Sequence, residues 1–175
     1  MHNIEFKAEL RDTAAARRQC RLLGATRIGL LRQTDTYYRL AEGRLKRREA
    51  PGEPVEWILY HRRDIVRPKM CDYVILTEAQ ARRRWGTHSL KEWVKVVKKR
   101  ELWMLENVRI HLDDVQSLGR FIEFEAAVDK EHDAKSCHQS INQLRRAFGP
   151  ALGEPLGPGY SDLMAQVSAE EGGGA

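Results

Sequence analysis

Asn107-Val108-Arg109-Ile110-His111-Leu112-Asp113, followed after a short break by Leu118-Gly119-Arg120-Phe121-Ile122-Glu123-Phe124-Glu125, carries the pattern that decides the fold. Apolar side chains alternate with charged ones, the period of a β-strand whose two faces differ. Val108, Ile110 and Leu112 oppose Arg109, His111 and Asp113, and Ile122 and Phe124 oppose Glu123 and Glu125. The same arrangement recurs outward along the chain: Glu5 and Lys7 against Ile4 and Phe6, then Lys46 with Arg48, and Lys98 with Arg100. Strands are expected over about 2–10, 26–32, 34–40, 43–49, 55–62, 71–76, 91–100, 101–105, 107–113 and 120–128.

Helices punctuate these strands. One runs over 12–23 from Asp12 to Gly24; a second, 78–85, follows Thr77 with Gln80 placed for a capping box and stops before Gly86. Asp133 caps a third, whose Cys137, Ile141, Leu144 and Phe148 share a face, and a fourth spans Tyr160 to about Val167 beyond the Gly/Pro-rich link 149–159. The order helix, glycine, strand, hairpin occurs twice, after Asp12 and after Thr77, a faint echo of a duplicated half-barrel. The expectation is one α+β domain over 1–168, with 169–175 a disordered tail.

An antiparallel sheet wet on one face gives the same alternation. Two features argue for closure instead. The signs are segregated by strand, with carboxylates on 120–128 and cations on 43–49 and 91–100. The helices also need an apolar surface, and the faces of Ile4, Phe6, Val108, Ile110, Ile122 and Phe124 supply it, which turns the ionic faces inward. A closed barrel of about eight strands has room for side chains or one small ligand. Charges alone would fill it badly, because an unpaired buried charge costs several kcal/mol. Cations at Lys46, Arg48, Lys98, Arg100 and Arg109 match phosphate oxygens, and carboxylates at Glu5, Glu123 and Glu125 match a hard divalent ion.

Composition bounds the rest. The chain has 175 residues, 42% hydrophobic and 31% charged, with a formal net charge of +5, so disorder is excluded as its theme and an anionic partner is compatible. No stretch approaches the roughly 18 apolar residues of a membrane span, and the first residues enter patterned sequence at once, so the expected location is cytoplasmic. Cys20, Cys71 and Cys137 are too scattered for a disulfide framework or a zinc knuckle and read as reduced thiols.

The charged strands also carry a family resemblance. The chain resembles the CYTH superfamily of class IV adenylyl cyclases and thiamine triphosphatases, the triphosphate tunnel metalloenzymes, over about residues 3–164. Asn3-Ile4-Glu5-Phe6-Lys7 is similar to the opening ExExK motif. Gln33-Thr34-Asp35-Thr36-Tyr37-Tyr38 with Gly43-Arg44-Leu45-Lys46-Arg47-Arg48 resembles the second. Lys98-Lys99-Arg100, Asn107–Asp113 and Leu118–Glu125 look like the C-terminal half of the cyclase branch, and Tyr160-Ser161-Asp162-Leu163 like its last motif.

The resemblance implies an eight-stranded antiparallel tunnel with a charged interior and helices outside, binding a triphosphate with Mg²⁺ or Mn²⁺. Glu5, Glu123 and Glu125 would be metal ligands; Lys7, Lys46, Arg48, Lys98, Arg100 and Arg109 would grip phosphates. Tyr37 occupies the position of a tyrosine that works with a lysine in some family triphosphatases. The chain departs from the pattern at Asn3, in place of the first glutamate, and at His61, read as standing in place of that lysine. The leading expectation is cyclase chemistry on ATP. Hydrolysis of an inorganic or organic triphosphate, and binding of polyphosphate or nucleotide without turnover, are the alternatives.

Other features read more plainly. Asp35 is equally a local anchor for a turn, and Asp113 a cap at a strand end. Arg82-Arg83-Arg84 reads as a solvated helix end complementing the dipole rather than a nucleic-acid site, and the four tryptophans as core or rim. His88, His132 and His138 lack ligand spacing for zinc. Neither nucleic acid nor membrane is an expected partner, and a homodimer is compatible with the sequence.

Overall fold

The local signals place the helices where the sequence expects them. In the computed structural model, which describes residues 1–172, Asp12 accepts a hydrogen bond from the Ala15 amide at the start of α1 (Thr13–Leu22), and Thr77 and Gln80 form the reciprocal capping box of α2 (Glu78–Trp85). Asp133 caps α3 (Ala134–Ala147) through the Ser136 amide. The last helix, α4 (Tyr160–Gly172), is longer than expected, so 169–172 of the expected tail are helical, whereas 173–175 lie outside the described residues.

The strands are β1 (His2–Leu10), β2 (Thr26–Tyr38), β3 (Arg44–Glu49), β4 (Glu56–Arg62), β5 (Lys69–Thr77), β6 (Glu92–Leu105), β7 (Val108–Val115), β8 (Gly119–Val128) and β9 (Leu152–Pro155). They form one antiparallel sheet in the order β5-β4-β3-β2-β6-β7-β8-β1-β9, and β1 also pairs with β5, closing eight strands into a barrel. The first half of β1 holds β5 on its free edge; Ala8 and Leu10 of the second half hold β9.

The sequence divided two strands too finely. The expected strands 26–32 and 34–40 join in β2, which ends at Tyr38, and 91–100 and 101–105 join in β6, which starts at Glu92, with register irregularities near Arg27/Gly29 and Tyr37/Tyr38 absorbing the bends. Gln33 inside β2 and Arg100-Glu101 inside β6 look like interruptions, but Gln33 and Arg100 face a polar lumen and Glu101 is buried on the outside by Arg17, Arg27 and Trp103. β9 falls within the link 149–159. Its Pro155 is tolerated because only an edge strand can lack a donor.

The duplicated order is present in the backbone. β1-α1-β2-β3-β4 is followed by β5-α2-β6-β7-β8, and the halves meet through β2 with β6, β1 with β5 and β8, and β4 with β5.

The main apolar core lies outside the barrel wall. Ile4, Phe6, Ile110, Ile122 and Phe124 are buried beneath α1 and α3 with Cys20, Cys137, Ile141, Leu144 and Phe148. A second outer cluster packs Ala81 of α2 on Leu45, Trp57 and Leu59. A third lies on the lumen side at one end of the barrel, where Tyr37, Val96, Val115, Phe121 and Tyr160 take Leu163 and Met164 from α4. The three cysteines are free and buried, and no helix is long and apolar enough to cross a membrane among the described residues.

Phe124 is fully buried between Phe6 and Phe148, with ring centroids 6.1 and 5.2 Å away. Phe124→Ala should therefore cost roughly 3–5 kcal/mol of stability. Urea unfolding monitored by far-ultraviolet circular dichroism checks this, and a loss under 1 kcal/mol would contradict an outer core.

Candidate functional site

With the apolar faces claimed by helices, the alternate residues of every barrel strand meet inside. They line a cavity of about 280 Å³ that reaches from Asn3, Glu5 and Lys7 to Lys46 and Arg48, and from Lys98 and Arg100 to Glu123 and Glu125. Of the eleven residues expected to form the site, ten line it; His61 does not. In β4 the inward positions are Ile58, Tyr60 and Arg62, so His61 falls on the outer face. There it is exposed, with its ring over Gly43, where a Cβ would lie 2.6 Å from the imidazole Cε1. Gly43 has φ +76°, and the missing side chain makes room for the ring. His61 is thus not positioned to act on a bound phosphate, and Arg62 takes the inward position beside it.

The cationic wall is built around one acid. Asp35, inaccessible to solvent, accepts from Arg48 at 2.7 and 2.9 Å, from Lys98 Nζ at 2.6 Å and from Lys46 Nζ at 3.2 Å. Cross-strand register brings them together: Asp35 lies opposite Arg48, and Lys98 is opposite the neighbouring inward residue Gln33. Burial opposes ionisation of Asp35, but Lys46, Lys98 and Arg48 overcome it and hold the carboxyl well below its usual range. Lys98 responds in the other direction. Burial, with Arg48, Arg100 and Lys46 nearby, outweighs the attraction of Asp35 and brings its ammonium down to about 7.

Asp113 organises a second group. It accepts from Arg100 at 2.7 and 2.6 Å and from the Tyr160 hydroxyl at 2.8 Å, well inside β7 rather than capping a strand end. Arg100 also reaches Glu123 at 3.0 Å, so it bridges the cationic and acidic walls.

The acidic wall joins β1, β7 and β8. Glu5 lies opposite Glu125, Lys7 opposite Glu123, and His111 opposite Glu123 on the other side. Burial raises the pKa of Glu5, and Glu123 and Glu125 add to the shift against Arg62 and Lys7. At Glu123 burial is outweighed by Lys7, the His111 contact and Arg100, so that carboxyl stays well below its ordinary value. Arg109 stands at this wall too, 3.4 Å from Glu125 and 3.2 Å from the Tyr73 hydroxyl, apart from the group around Asp35. His111, Glu123 and Glu125 each offer a ligand atom, mutually within 4.8 Å. The carboxylate set fits a divalent cation: three acids crowd one wall, and the buried Asn3 Oδ1 in the same cavity has no hydrogen-bond partner.

The two ends differ. Tyr160, at the start of α4, closes one: its ring lies 4.0 Å from Lys7 Nζ, and the preceding chain is held by Arg62 and Lys69, which donate to the Gly157 carbonyl at 2.9 and 3.1 Å. Leu31, Ile58, Ile75 and Leu102 give the cavity an apolar lining, and Ile75 is 41% exposed, which marks the open side. Tyr37 lines the cavity 5.8 Å from Lys46 Nζ, and burial keeps its phenol well above the usual value, hence protonated.

Sequence reasoning missed Arg62 and Tyr60, and left Asp35, Asp113 and His111 off the site. The inward alternation already present in Arg109-His111-Asp113 was a usable signal for the last two.

An eight-stranded barrel whose inner face sets a cation cluster around Asp35 against carboxylates interleaved with Lys7, Arg62 and Arg109 defines a charged tunnel. The chain belongs to the CYTH family: the CYTH domain model matches residues 1–151. No curated protein matches the sequence. The fold is similar to that of the PH1012 protein of Pyrococcus horikoshii, at 19% identity and TM-score 0.70 over 93% of this chain and 99% of that one. A candidate adenylate cyclase from Vibrio parahaemolyticus is similar at 16% identity and TM-score 0.71, covering 94% and 98%. A candidate adenylyl cyclase from Hippeastrum, described as having a dominant triphosphatase activity, is similar at 12% identity and TM-score 0.61, covering 94% and 96%.

Two expectations follow from the cationic wall. Asp35→Asn leaves three buried cations short of their shared counter-ion and should cost roughly 3–5 kcal/mol. Added tripolyphosphate should then raise its melting temperature more than that of the wild type, and an equal rise would contradict the arrangement. Because Lys98 is largely uncharged above about pH 7 in the free protein, a bound polyanion must restore its proton. Tripolyphosphate affinity should thus fall by roughly ten-fold or more between pH 7 and 9 relative to Lys98→Arg, whose guanidinium stays charged. Calorimetric titration of both proteins at the two pH values checks the sign.

Proposed function

We propose that the protein is a metal-dependent enzyme acting on a triphosphate held in the tunnel, with conversion of ATP to cyclic AMP and pyrophosphate as its leading reaction. One observation carries this reading: a single enclosed cavity sets the group Lys46, Arg48 and Lys98 against Glu5, Glu123 and Glu125, with Arg100 between them. A metal-bound triphosphate has the matching asymmetry, anionic oxygens along its length and a cation on one side.

Lys46, Arg48 and Lys98 would bind the phosphate chain, held in place by Asp35, with Lys7 and Arg100 completing the cradle. Glu5, Glu123 and Glu125 would hold Mg²⁺ or Mn²⁺, which supplies charge neutralisation and polarises a phosphoryl oxygen when bound. Leu31, Ile58, Ile75 and Leu102 would receive the organic end of a nucleoside triphosphate and keep water from it. In the cyclase reaction the ribose 3′-oxygen forms a bond to the α-phosphorus, the α–β bridging P–O bond breaks with its electron pair leaving on pyrophosphate, and the hydroxyl proton passes to solvent water. The fixed cations act by orienting the chain and by neutralising charge that builds on the leaving pyrophosphate.

Hydrolysis is the second reading, supported by Tyr37 inside the cavity beside Lys46. A protonated phenol can orient a water molecule as donor but cannot deprotonate it, so positioning would dominate there as well.

Incubation of the protein with ATP or tripolyphosphate, each with Mg²⁺ or Mn²⁺, and ³¹P NMR of the products separates these readings. Cyclic AMP with pyrophosphate is expected. Phosphate release would select the hydrolytic reading, and no product from either compound would overturn the enzyme. Lys46→Ala should raise the KM for the active compound roughly ten- to hundred-fold through loss of a charged hydrogen bond, and an unchanged KM would remove Lys46 from the cradle.

A further inference from the structure

Among the acids and cations of the tunnel, one imidazole has no part in the reading above. His111 is 3% exposed, and its Nδ1 lies 3.4 Å from Glu123 Oε2 and 3.8 Å from Glu125 Oε1. Both separations exceed a good N–H···O hydrogen bond, which falls near 2.7–3.2 Å. They fit a different relationship. Two donors about 2.1 Å from a shared ion stand roughly 3.0–4.2 Å apart, depending on the angle between them.

A second, independent observation points the same way. Asn3 is 4% exposed and lines the same cavity, and its Oδ1 is a buried acceptor with no partner. It is the inward residue next to Glu5, which lies directly opposite Glu125 in the sheet. A buried oxygen of this kind is costly unless something satisfies it. A cation held on the wall of β1, β7 and β8 would do so. Asn3 brings no charge, so the site also lacks the extra carboxylate that would favour a hard ion.

We propose that His111 is a direct metal ligand, together with Glu123 and Glu125, and that this imidazole–carboxylate set selects a later first-row ion such as Co²⁺ over Mg²⁺. The proposal rests on the reading that the tunnel holds a divalent cation, and specifies its ligands and identity. The chemistry follows from donor type. Oxygen-only sites are well suited to Mg²⁺, whereas imidazole nitrogen adds affinity for the later ions in the Irving–Williams order. Mg²⁺ also dehydrates reluctantly and gains little from a single nitrogen.

Two measurements that do not depend on turnover test it. In Co²⁺-loaded wild-type protein, X-ray absorption fine structure should show the multiple scattering of one coordinated imidazole, and Co²⁺-loaded His111→Gln should lack it. Calorimetric titration with Mn²⁺, Co²⁺ and Mg²⁺ should show His111→Gln losing about ten-fold or more in Co²⁺ affinity, less in Mn²⁺ affinity, while Mg²⁺ affinity changes less than about three-fold. Glu123→Gln should lose all three ions, and circular dichroism identifies any variant that fails to fold, in which case the wild-type absorption result decides. No imidazole scattering in the wild type, with Co²⁺ binding intact and abolished in Glu123→Gln, would overturn the role of His111 while leaving the tunnel metal standing. Failure of the wild type to bind any of the three ions, with and without tripolyphosphate, would instead remove the metal from the proposed function.

Discussion

Charge compensation inside a closed barrel is the constraint from which the other features follow. Eight strands turn their ionic faces inward because the helices need the apolar faces, and a lumen of that size cannot hydrate what it receives. Each buried charge must then be matched. Asp35 shows how: three cations from β3 and β6 converge on a single carboxylate, leaving the group with a net positive charge. Asp113 does the same for Arg100. Full neutralisation would yield an inert core, whereas the excess of cations around Asp35 makes a receptor; the carboxylates opposite are each met by a cation, Glu5 by Arg62, Glu123 by Lys7 and Arg100, and Glu125 by Arg109. The depressed Lys98 and raised Glu5 are signs of compensation left incomplete.

That incompleteness links the cavity to its proposed chemistry. A ligand that brings several negative charges and a divalent cation would neutralise the cations around Asp35 and share the carboxylates now held by Arg62, Lys7 and Arg109. The closed end favours preorganisation. Tyr160 is fixed by Asp113 and lies against Lys7, while Arg62 and Lys69 tie down the chain before α4. Rigid dipoles and charges of this kind stabilise charge as it develops, with little reorganisation at the moment of reaction. Closure also confines the organic end of a substrate to the apolar side near Leu31 and Ile75.

How much of this was legible in the sequence depended on whether a strand has two chemically distinct faces. β1, β7 and β8 alternate cleanly, so the inward positions of Glu5, Lys7, Arg109, Glu123 and Glu125 followed from parity. β4 does not alternate. Trp57, Ile58 and Leu59 are all buried, because α2 covers one side and the cavity wall the other, and such a run conceals which way its polar end points. His61 was therefore placed inside and Arg62 overlooked. Asp35 failed for another reason. Its partners lie 11, 13 and 63 residues away, and nothing local distinguishes a hub from a turn anchor. The expected boundaries in β2 and β6 fall at Gln33 and at Arg100-Glu101, polar residues of a kind that in most strands face water, whereas here Gln33 and Arg100 face the lumen.

The duplicated backbone gives this asymmetry its significance. β3 and β7 hold equivalent places in the two halves, as do β4 and β8, so a symmetric sequence would build a tunnel with identical walls. The side chains break that equivalence. β4 presents Ile58, Tyr60 and Arg62 where β8 presents Phe121, Glu123 and Glu125, and β3 presents Lys46 and Arg48 where β7 presents Arg109, His111 and Asp113. The carboxylate wall pairs internally, Glu5 with Arg62, Glu123 with Lys7 and Glu125 with Arg109, whereas the cations around Asp35 keep an excess. Concentrating carboxylates on β8 and β1, and cations on β3 and β6, creates a field across the lumen that can orient a ligand with unlike ends. The fold supplies the enclosure twice over; the direction in which a phosphate chain would lie is set by the few inward positions at which the halves differ.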